Sequence, residues 1–184
     1  MINIPNLLTL FRILITPLFV IFMIKGHFRL ALLAFFLAGI SDGLDGLFAR
    51  WFNQKTVLGA HLDPIADKLL LMSAFVALAV QRTIPSWLAV VVISRDILIL
   101  SGIAILRYFH IAVTVKPSMV SKCTTAAQLA TVLAVLLALE IPIVHTALVP
   151  LFWLTVALST ASGLHYTYLG IQLLNDEPSI DLNR

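Results

Sequence analysis

SDGLDGLFARWFNQKTVLGAHLDPIADK, residues 41–68, concentrates four aspartates in an otherwise apolar chain. They are Asp42, Asp45, Asp63 and Asp67, and long apolar runs flank the stretch on both sides. A carboxylate at membrane depth is costly unless it pairs with a cation or binds one. We therefore expect this stretch to carry the functional site.

The spacing of the aspartates predicts two helices. Asp42 and Asp45 lie three residues apart, and Asp63 and Asp67 lie four apart, so each pair occupies one face of a helix. The short, partly polar segment 51–56 between the pairs suits a turn that joins antiparallel helices. If these helices pack side by side, the four carboxylates face one another in two layers.

Four clustered carboxylates require cations. Hard oxygen ligands, with no thiol and no predicted imidazole ligand, select Mg²⁺, Mn²⁺ or Ca²⁺ over zinc or iron. Two divalent cations would roughly neutralise the site. His61 lies nearby, and we interpret it as a packing or interfacial residue because a lone histidine seldom acts as a ligand.

Composition sets the environment of this cluster. Of the 184 residues, 60% are hydrophobic and 11% are charged, and the mean hydropathy is +1.03. These values exclude an ordinary soluble domain and predict an all-α integral membrane protein. We expect one domain, residues 1–174, with a polar cytoplasmic tail at 175–184. Its six predicted transmembrane helices are Leu7–Ile24, Leu30–Phe52, Gly59–Val80, Pro85–Arg107, Ser121–Leu139 and Ala147–Leu173.

The basic residues predict the orientation of the spans. They concentrate in or beside the second and fourth connections, which hold Arg50, Lys55, Arg107, Lys116 and Lys122. By the positive-inside rule, the termini and the aspartate-bearing turn face the cytoplasm. Cys123 is the single cysteine, which excludes an intramolecular disulfide, and we interpret it as a small buried apolar residue.

The aspartate motif carries a resemblance to a known family. Asp42-x-x-Asp45-Gly46-x-x-Ala49-Arg50, eight further residues, and Gly59-x-x-x-Asp63-x-x-x-Asp67 resemble the signature of the CDP-alcohol phosphotransferases. The segment from Pro5 to Arg12 is similar to the amino-terminal P-N-x-L-T-x-x-R of that family, so the resemblance covers nearly the whole chain. It implies a six-helix membrane bundle, and a homodimer is the family expectation.

The resemblance also implies roles for individual residues. Asp42, Asp45 and Asp63 would ligate two Mg²⁺ or Mn²⁺ ions, and Asp67 would touch a metal and act as the general base on an acceptor hydroxyl. The donor implied is CDP-diacylglycerol, whose cleavage releases CMP. The expected donor-binding residues are Asn6, Thr9, Gly46, Ala49, Arg50 and Gly59. Small residues on membrane helices also serve close helix packing, which is the alternative interpretation of the glycines and of Ala49.

A second stretch, Lys116 to Gln128, bears on the acceptor. Phosphatidylglycerophosphate synthases tend to show G-K-x-K-T here, whereas this chain has Thr124 in place of the second lysine. The stretch is more similar to cardiolipin synthases of mitochondrial type, and the missing cation favours phosphatidylglycerol, with one charge, over glycerol 3-phosphate. The candidate acceptor-binding residues are Arg95, Arg107, Lys116, Ser121 and Lys122.

Several alternatives remain open from the sequence. The lysines of this second stretch could be ordinary boundary charges beside a capped helix, and Lys68, Arg95 and Asp96 could form structural ion pairs. A phosphatidylglycerophosphate synthase is the alternative enzyme. A divalent-cation transporter is an alternative of another class, although the acids cluster toward one side of the membrane and Arg50 would repel cations.

The resemblance, together with the charge pattern, also implies a location and partners. We expect a multi-pass protein of the bacterial or mitochondrial inner membrane, with the active site on the cytoplasmic or matrix side. The expected partners are the lipid bilayer, CDP-diacylglycerol, and either phosphatidylglycerol or glycerol 3-phosphate, and we expect no nucleic acid partner.

Overall fold

A computed structural model describes residues 4–51, 57–108, 119–141 and 144–175, with side chains for Leu7 and residues 9–41, 66–105, 119–141 and 144–172. These residues form helices and no strands, which confirms the all-α prediction. Each helix begins and ends within three residues of a predicted span. The helices are α1 (Ile4–Ile24), α2 (Phe28–Trp51), α3 (Val57–Val80), α4 (Ser86–Tyr108), α5 (Met119–Ala138) and α6 (His145–Asn175).

The later helices have the clearest membrane character. Three apolar segments are each long enough to cross a membrane, namely Ser86–Ile105 in α4, Met119–Ala138 in α5 and His145–Gln172 in α6. The described parts of α1 and α2 contribute the shorter apolar helices Thr9–Ile24 and Phe28–Ser41. Membrane crossing by the first three helices remains a prediction.

Two of the turns at one end of the bundle share a helix-ending geometry. After α1, the Gly26 amide donates to Met23 O and the His27 amide donates to Phe22 O, while Gly26 has φ of 72°. This pattern is a Schellman motif, in which a residue in the left-handed conformation ends the helix. The same pattern ends α3, where Arg82 takes the left-handed position with φ of 57°.

The helices pack so that α1 and α5 each contact both α2 and α3, while α4 and α5 both contact α6. Close to the α1–α2 turn, the interior is apolar: Phe19 and Phe35 lie with ring centroids 5.7 Å apart, and Leu78 and Leu136 are fully buried. Because successive helices run up and down, the start of α1, α3 and α5 lies with the end of α2, α4 and α6. That other end carries the aspartate motif.

Hydroxyl groups join α5 to α6. The hydroxyls of Thr131 and Thr155 lie 2.7 Å apart, and Thr124 Oγ1 donates to Val120 O at 2.8 Å and to Leu158 O at 3.1 Å. Such interhelical hydrogen bonds help to hold membrane helices together, because burial of apolar surface gives little driving force for helix association in a lipid bilayer.

Candidate active site

Asp67 is the motif aspartate whose side chain the structure describes. It accepts a charged hydrogen bond at Oδ1 from Nη1 of Arg12, which crosses from α1 to α3. The Arg12 side chain is only 1% exposed, whereas that of Asp67 is 39% exposed. The guanidinium is therefore enclosed in the bundle, while the carboxylate it holds remains accessible.

Four helices meet at this ion pair. A small cavity of about 40 Å³ is lined by Arg12 of α1, Gly39 of α2, Asp67 of α3 and Thr125 of α5, among others. The remaining motif residues begin close to this cavity in the sequence, because Asp42 follows the lining residue Gly39 by three residues in α2. The described residues thus place the ion pair directly beside the start of the predicted cluster.

A second polar cluster joins the other helices. Oδ1 of Asp96 accepts from Nη1 of Arg95 at 2.7 Å and from Nζ of Lys68 at 3.2 Å. Arg95 also donates from Nη2 to Ser121 Oγ at 2.9 Å and to Ser162 Oγ at 2.5 Å. Arg95 and Asp96 are buried. The ion pairs that the sequence left as an alternative are therefore present. Because two cations share one carboxylate, the three side chains carry a net charge of +1.

Most of the other motif positions are described only as backbone. Their helices are as predicted: α2 carries the first half of the motif and α3 carries the second half. Side chains in the following set lie outside the described residues, so their roles remain predictions: Asn6, Asp42, Asp45, Gly46, Ala49, Arg50, Gly59, Asp63 and Arg107. Lys116 lies outside the described ranges altogether.

The second sequence stretch divides between two environments. Ser121 faces the bundle and holds Arg95, whereas Lys122 is exposed. Thr124 is fully buried and bonds to α6, so the position that distinguishes this chain from the G-K-x-K-T pattern is a helix-packing position here. The interpretation of Cys123 as buried is wrong, because this free cysteine is exposed on the outer side of α5.

The residues present fit divalent cations by their chemistry. Asp67 offers an accessible carboxylate, and the helical backbone places Asp63 one turn before it on the same face of α3. Within the described side chains no three acidic, histidine or cysteine residues gather, since the other three aspartates fall outside that set. Oxygen donors of this kind suit Mg²⁺ or Mn²⁺.

Sequence reasoning gave Arg12 no role in the site beyond its place in the amino-terminal pattern. A signal was available, because an arginine inside an apolar span must have a partner and the aspartates were the acidic residues at a comparable depth. Thr9, a predicted donor-binding residue one turn before Arg12, is buried in α1 at 1% exposure. The approach of α1 to α3 could not be inferred from spacing alone.

Comparison with known proteins completes this picture. Residues 2–161 match the sequence profile of the CDP-alcohol phosphatidyltransferases. The chain belongs to this family. The match spans most of the chain and includes the whole aspartate motif, Arg12 and the Lys68–Arg95–Asp96 cluster. Membership explains why acidic residues lie among apolar helices, and divalent cations are typical of the family.

Named relatives include two kinds of enzyme. The human cardiolipin synthase (CMP-forming) is 33% identical over 194 residues, covering 95% of this chain and 64% of the relative. A probable phosphatidylglycerophosphate synthase of Mycobacterium tuberculosis is 33% identical over 171 residues, covering 89% of this chain and 79% of the relative. The CDP-diacylglycerol–glycerol-3-phosphate 3-phosphatidyltransferase of Haemophilus influenzae is 43% identical over 103 residues, covering 53% of this chain and 52% of the relative. The chain spans less than two thirds of the length of the human cardiolipin synthase.

Proposed function

We propose that this protein transfers a phosphatidyl group from CDP-diacylglycerol to phosphatidylglycerol, forming cardiolipin and releasing CMP. The observation that carries the proposal is an accessible Asp67 carboxylate, anchored by a buried Arg12, within a complete family motif. Similarity to proteins named cardiolipin synthase supports the choice of product. Family membership favours this transferase over the cation transporter.

Two divalent cations would be held by Asp42, Asp45 and Asp63 together with Asp67. When bound, they would neutralise the diphosphate of the donor and stabilise the charge that develops on departing CMP. The small Gly46 would let the nucleotide approach the helix backbone.

Asp67 is the proposed general base. Its ion pair with Arg12 requires an ionised carboxylate, which is the form able to accept a proton. The acceptor hydroxyl would give its proton to Asp67 while its oxygen attacks the phosphorus that bears the diacylglycerol. The bond from that phosphorus to the CMP oxygen breaks, so no covalent enzyme intermediate forms.

The charge of the second cluster favours an acceptor with one negative charge. Lys68, Arg95 and Asp96 together carry a net charge of +1, and Lys68 follows Asp67 directly in α3. A phosphodiester carries a single negative charge and would balance this surplus, whereas glycerol 3-phosphate carries up to two and would need a further cation, such as the predicted acceptor-binding Arg107, Lys116 or Lys122. With Thr124 packed against α6 instead of supplying a lysine, the cluster supports phosphatidylglycerol as the acceptor.

The deciding experiment gives purified protein CDP-diacylglycerol with phosphatidylglycerol, with glycerol 3-phosphate, or with both. We expect CMP release and cardiolipin, and no activity after removal of metal with EDTA until Mg²⁺ or Mn²⁺ is restored. Consumption of glycerol 3-phosphate in preference to phosphatidylglycerol would instead establish a phosphatidylglycerophosphate synthase. Uptake of Mn²⁺ into proteoliposomes without CMP release would contradict both.

A further inference from the structure

We propose that Arg12 is a positioning residue, which acts on the reaction by fixing the direction of the Asp67 carboxylate. The inference rests on the proposed function, because it assigns a consequence to how Asp67 is held. Arg12 belongs to α1 and is separated from Asp67 by 55 residues, so their contact exists only in the folded bundle.

The burial of Arg12 makes pairing with a carboxylate strongly favourable. Its side chain is 1% exposed and carries a positively charged guanidinium. An uncompensated charge in a low-dielectric interior is strongly unfavourable, so α1 is driven to keep Arg12 against a carboxylate. The Arg12 backbone is also tied locally, since Thr16 Oγ1 donates to its carbonyl at 2.8 Å.

The contact also restrains Asp67. With 39% of its side chain exposed, Asp67 has room for more than one rotamer, and the ion pair with Arg12 favours the one in the structure. The guanidinium holds Oδ1 on the inner side of the site, at the cavity where α1, α2, α3 and α5 meet. Asp67 is thereby held in a fixed orientation, in the same way that hydrogen-bond partners orient the ligands of metal sites in general.

Positioning and simple charge repulsion predict opposite effects on metal affinity. If Arg12 acted only as a nearby positive charge, its removal would strengthen cation binding by relieving repulsion. If Arg12 positions Asp67, its removal weakens cation binding, because one ligand loses its orientation. Losses from such outer partners are typically 10–100-fold in metal affinity or activity.

The test uses Arg12→Gln, Asp67→Asn and the double variant of the full-length protein, with Mn²⁺ binding measured calorimetrically in detergent. We expect Arg12→Gln to weaken Mn²⁺ binding about 10-fold. The double variant should bind as Asp67→Asn alone does, because residues that act as a unit are not additive. In steady-state assays, kcat of Arg12→Gln should fall by at least about 10-fold, with a smaller change in KM for CDP-diacylglycerol.

Controls separate this inference from folding and from the proposed function. Arg12→Lys keeps the charge without the fork and should recover part of kcat and of Mn²⁺ affinity, and it serves as the second variant where Arg12→Gln does not fold. Arg29→Gln removes an exposed salt bridge, in which Arg29 Nε and Glu140 Oε2 lie 2.7 Å apart, and should leave kcat and Mn²⁺ affinity at their wild-type values. The inference would be overturned if Arg12→Gln bound Mn²⁺ as tightly as wild type or more tightly. It would also be overturned if the losses of Mn²⁺ affinity in the two single variants multiplied in the double variant. Failure of the wild-type protein to release CMP would overturn the proposed function alone.

Discussion

The two ends of the bundle are built on different principles. At the end near the α1–α2 turn, Phe19, Phe35 and Leu78 fill the interior without polar partners, and α1 and α3 end in Schellman motifs. At the other end, Arg12 and Arg95 are buried among the helices and held by carboxylates and hydroxyls. One end is stabilised by apolar packing. The other contains buried charged groups, which would be unfavourable there without their ion-pair and hydrogen-bond partners.

This difference indicates where function and stability are located. Buried ion pairs add little net stability compared with apolar residues of the same volume, yet breaking one is expensive. The charged end is therefore better explained by chemistry than by folding. Substitutions at the charged end should alter the reaction, with or without a loss of stability, whereas substitutions at the apolar end should alter stability with little change in the activity of folded molecules.

The largest expected effect comes from Asp67→Asn. The amide keeps the size of the side chain but cannot accept a proton, so turnover should fall by at least about 10³-fold. CDP-diacylglycerol binding should be largely retained, whereas Asp42→Asn or Asp63→Asn should weaken it as well. Product formation and equilibrium binding are measured side by side, with Val76→Ala on the outer face of α3 as the control. Near-normal turnover would remove Asp67 from the role of base.

Asp96→Asn tests the second cluster through stability. It removes the carboxylate that Lys68 and Arg95 share, leaving two cations near each other with less compensation. Loss of one partner from a buried pair typically costs roughly 3–5 kcal/mol, so the thermal midpoint in detergent should fall clearly. Activity with phosphatidylglycerol should also decrease. An unchanged midpoint would show that Arg95 is held adequately by Ser121 and Ser162.

Leu78→Ala probes the apolar end in the same assays. Leu78 is fully buried in α3 and lies about 16 Å along the helix from Asp67. The cavity should cost about 3 kcal/mol of unfolding free energy, while kcat per folded molecule stays within about twofold of wild type. Leu78→Met keeps the volume and should cost less than about 1.5 kcal/mol. A large loss of kcat without loss of stability would contradict the division between the two ends.

The smallest effect is expected for Arg82→Gly, at the end of α3. Arg82 occupies a left-handed conformation that costs a side-chain-bearing residue about 1 kcal/mol and costs glycine little. The substitution should raise the thermal midpoint slightly and leave kcat unchanged. Gly26→Ala, at the equivalent position after α1, is the matched reverse change and should lower the midpoint.

The sequence by itself determined the helices, the class of chemistry and the candidate site. Long apolar runs have few alternatives to helix in a membrane, because backbone polar groups must be satisfied within the segment. The three- and four-residue spacings placed each aspartate pair on one helix face before any fold was known. Hard oxygen donors with no thiol or imidazole limited the metals that fit, and the motif identified the family that the comparisons confirmed.

Only the tertiary structure decided which residues meet across helices. Periodicity states which face of a helix a residue occupies but not which neighbour that face contacts, so neither the Arg12–Asp67 contact nor the sharing of Asp96 by Lys68 and Arg95 followed from spacing. Thr124 shows the same limit: the sequence marked it as a missing lysine, and the packing of α5 on α6 made it a buried interhelical hydrogen bond. Contacts between residues far apart in the chain depend on how whole helices assemble, and that is decided by their combined packing.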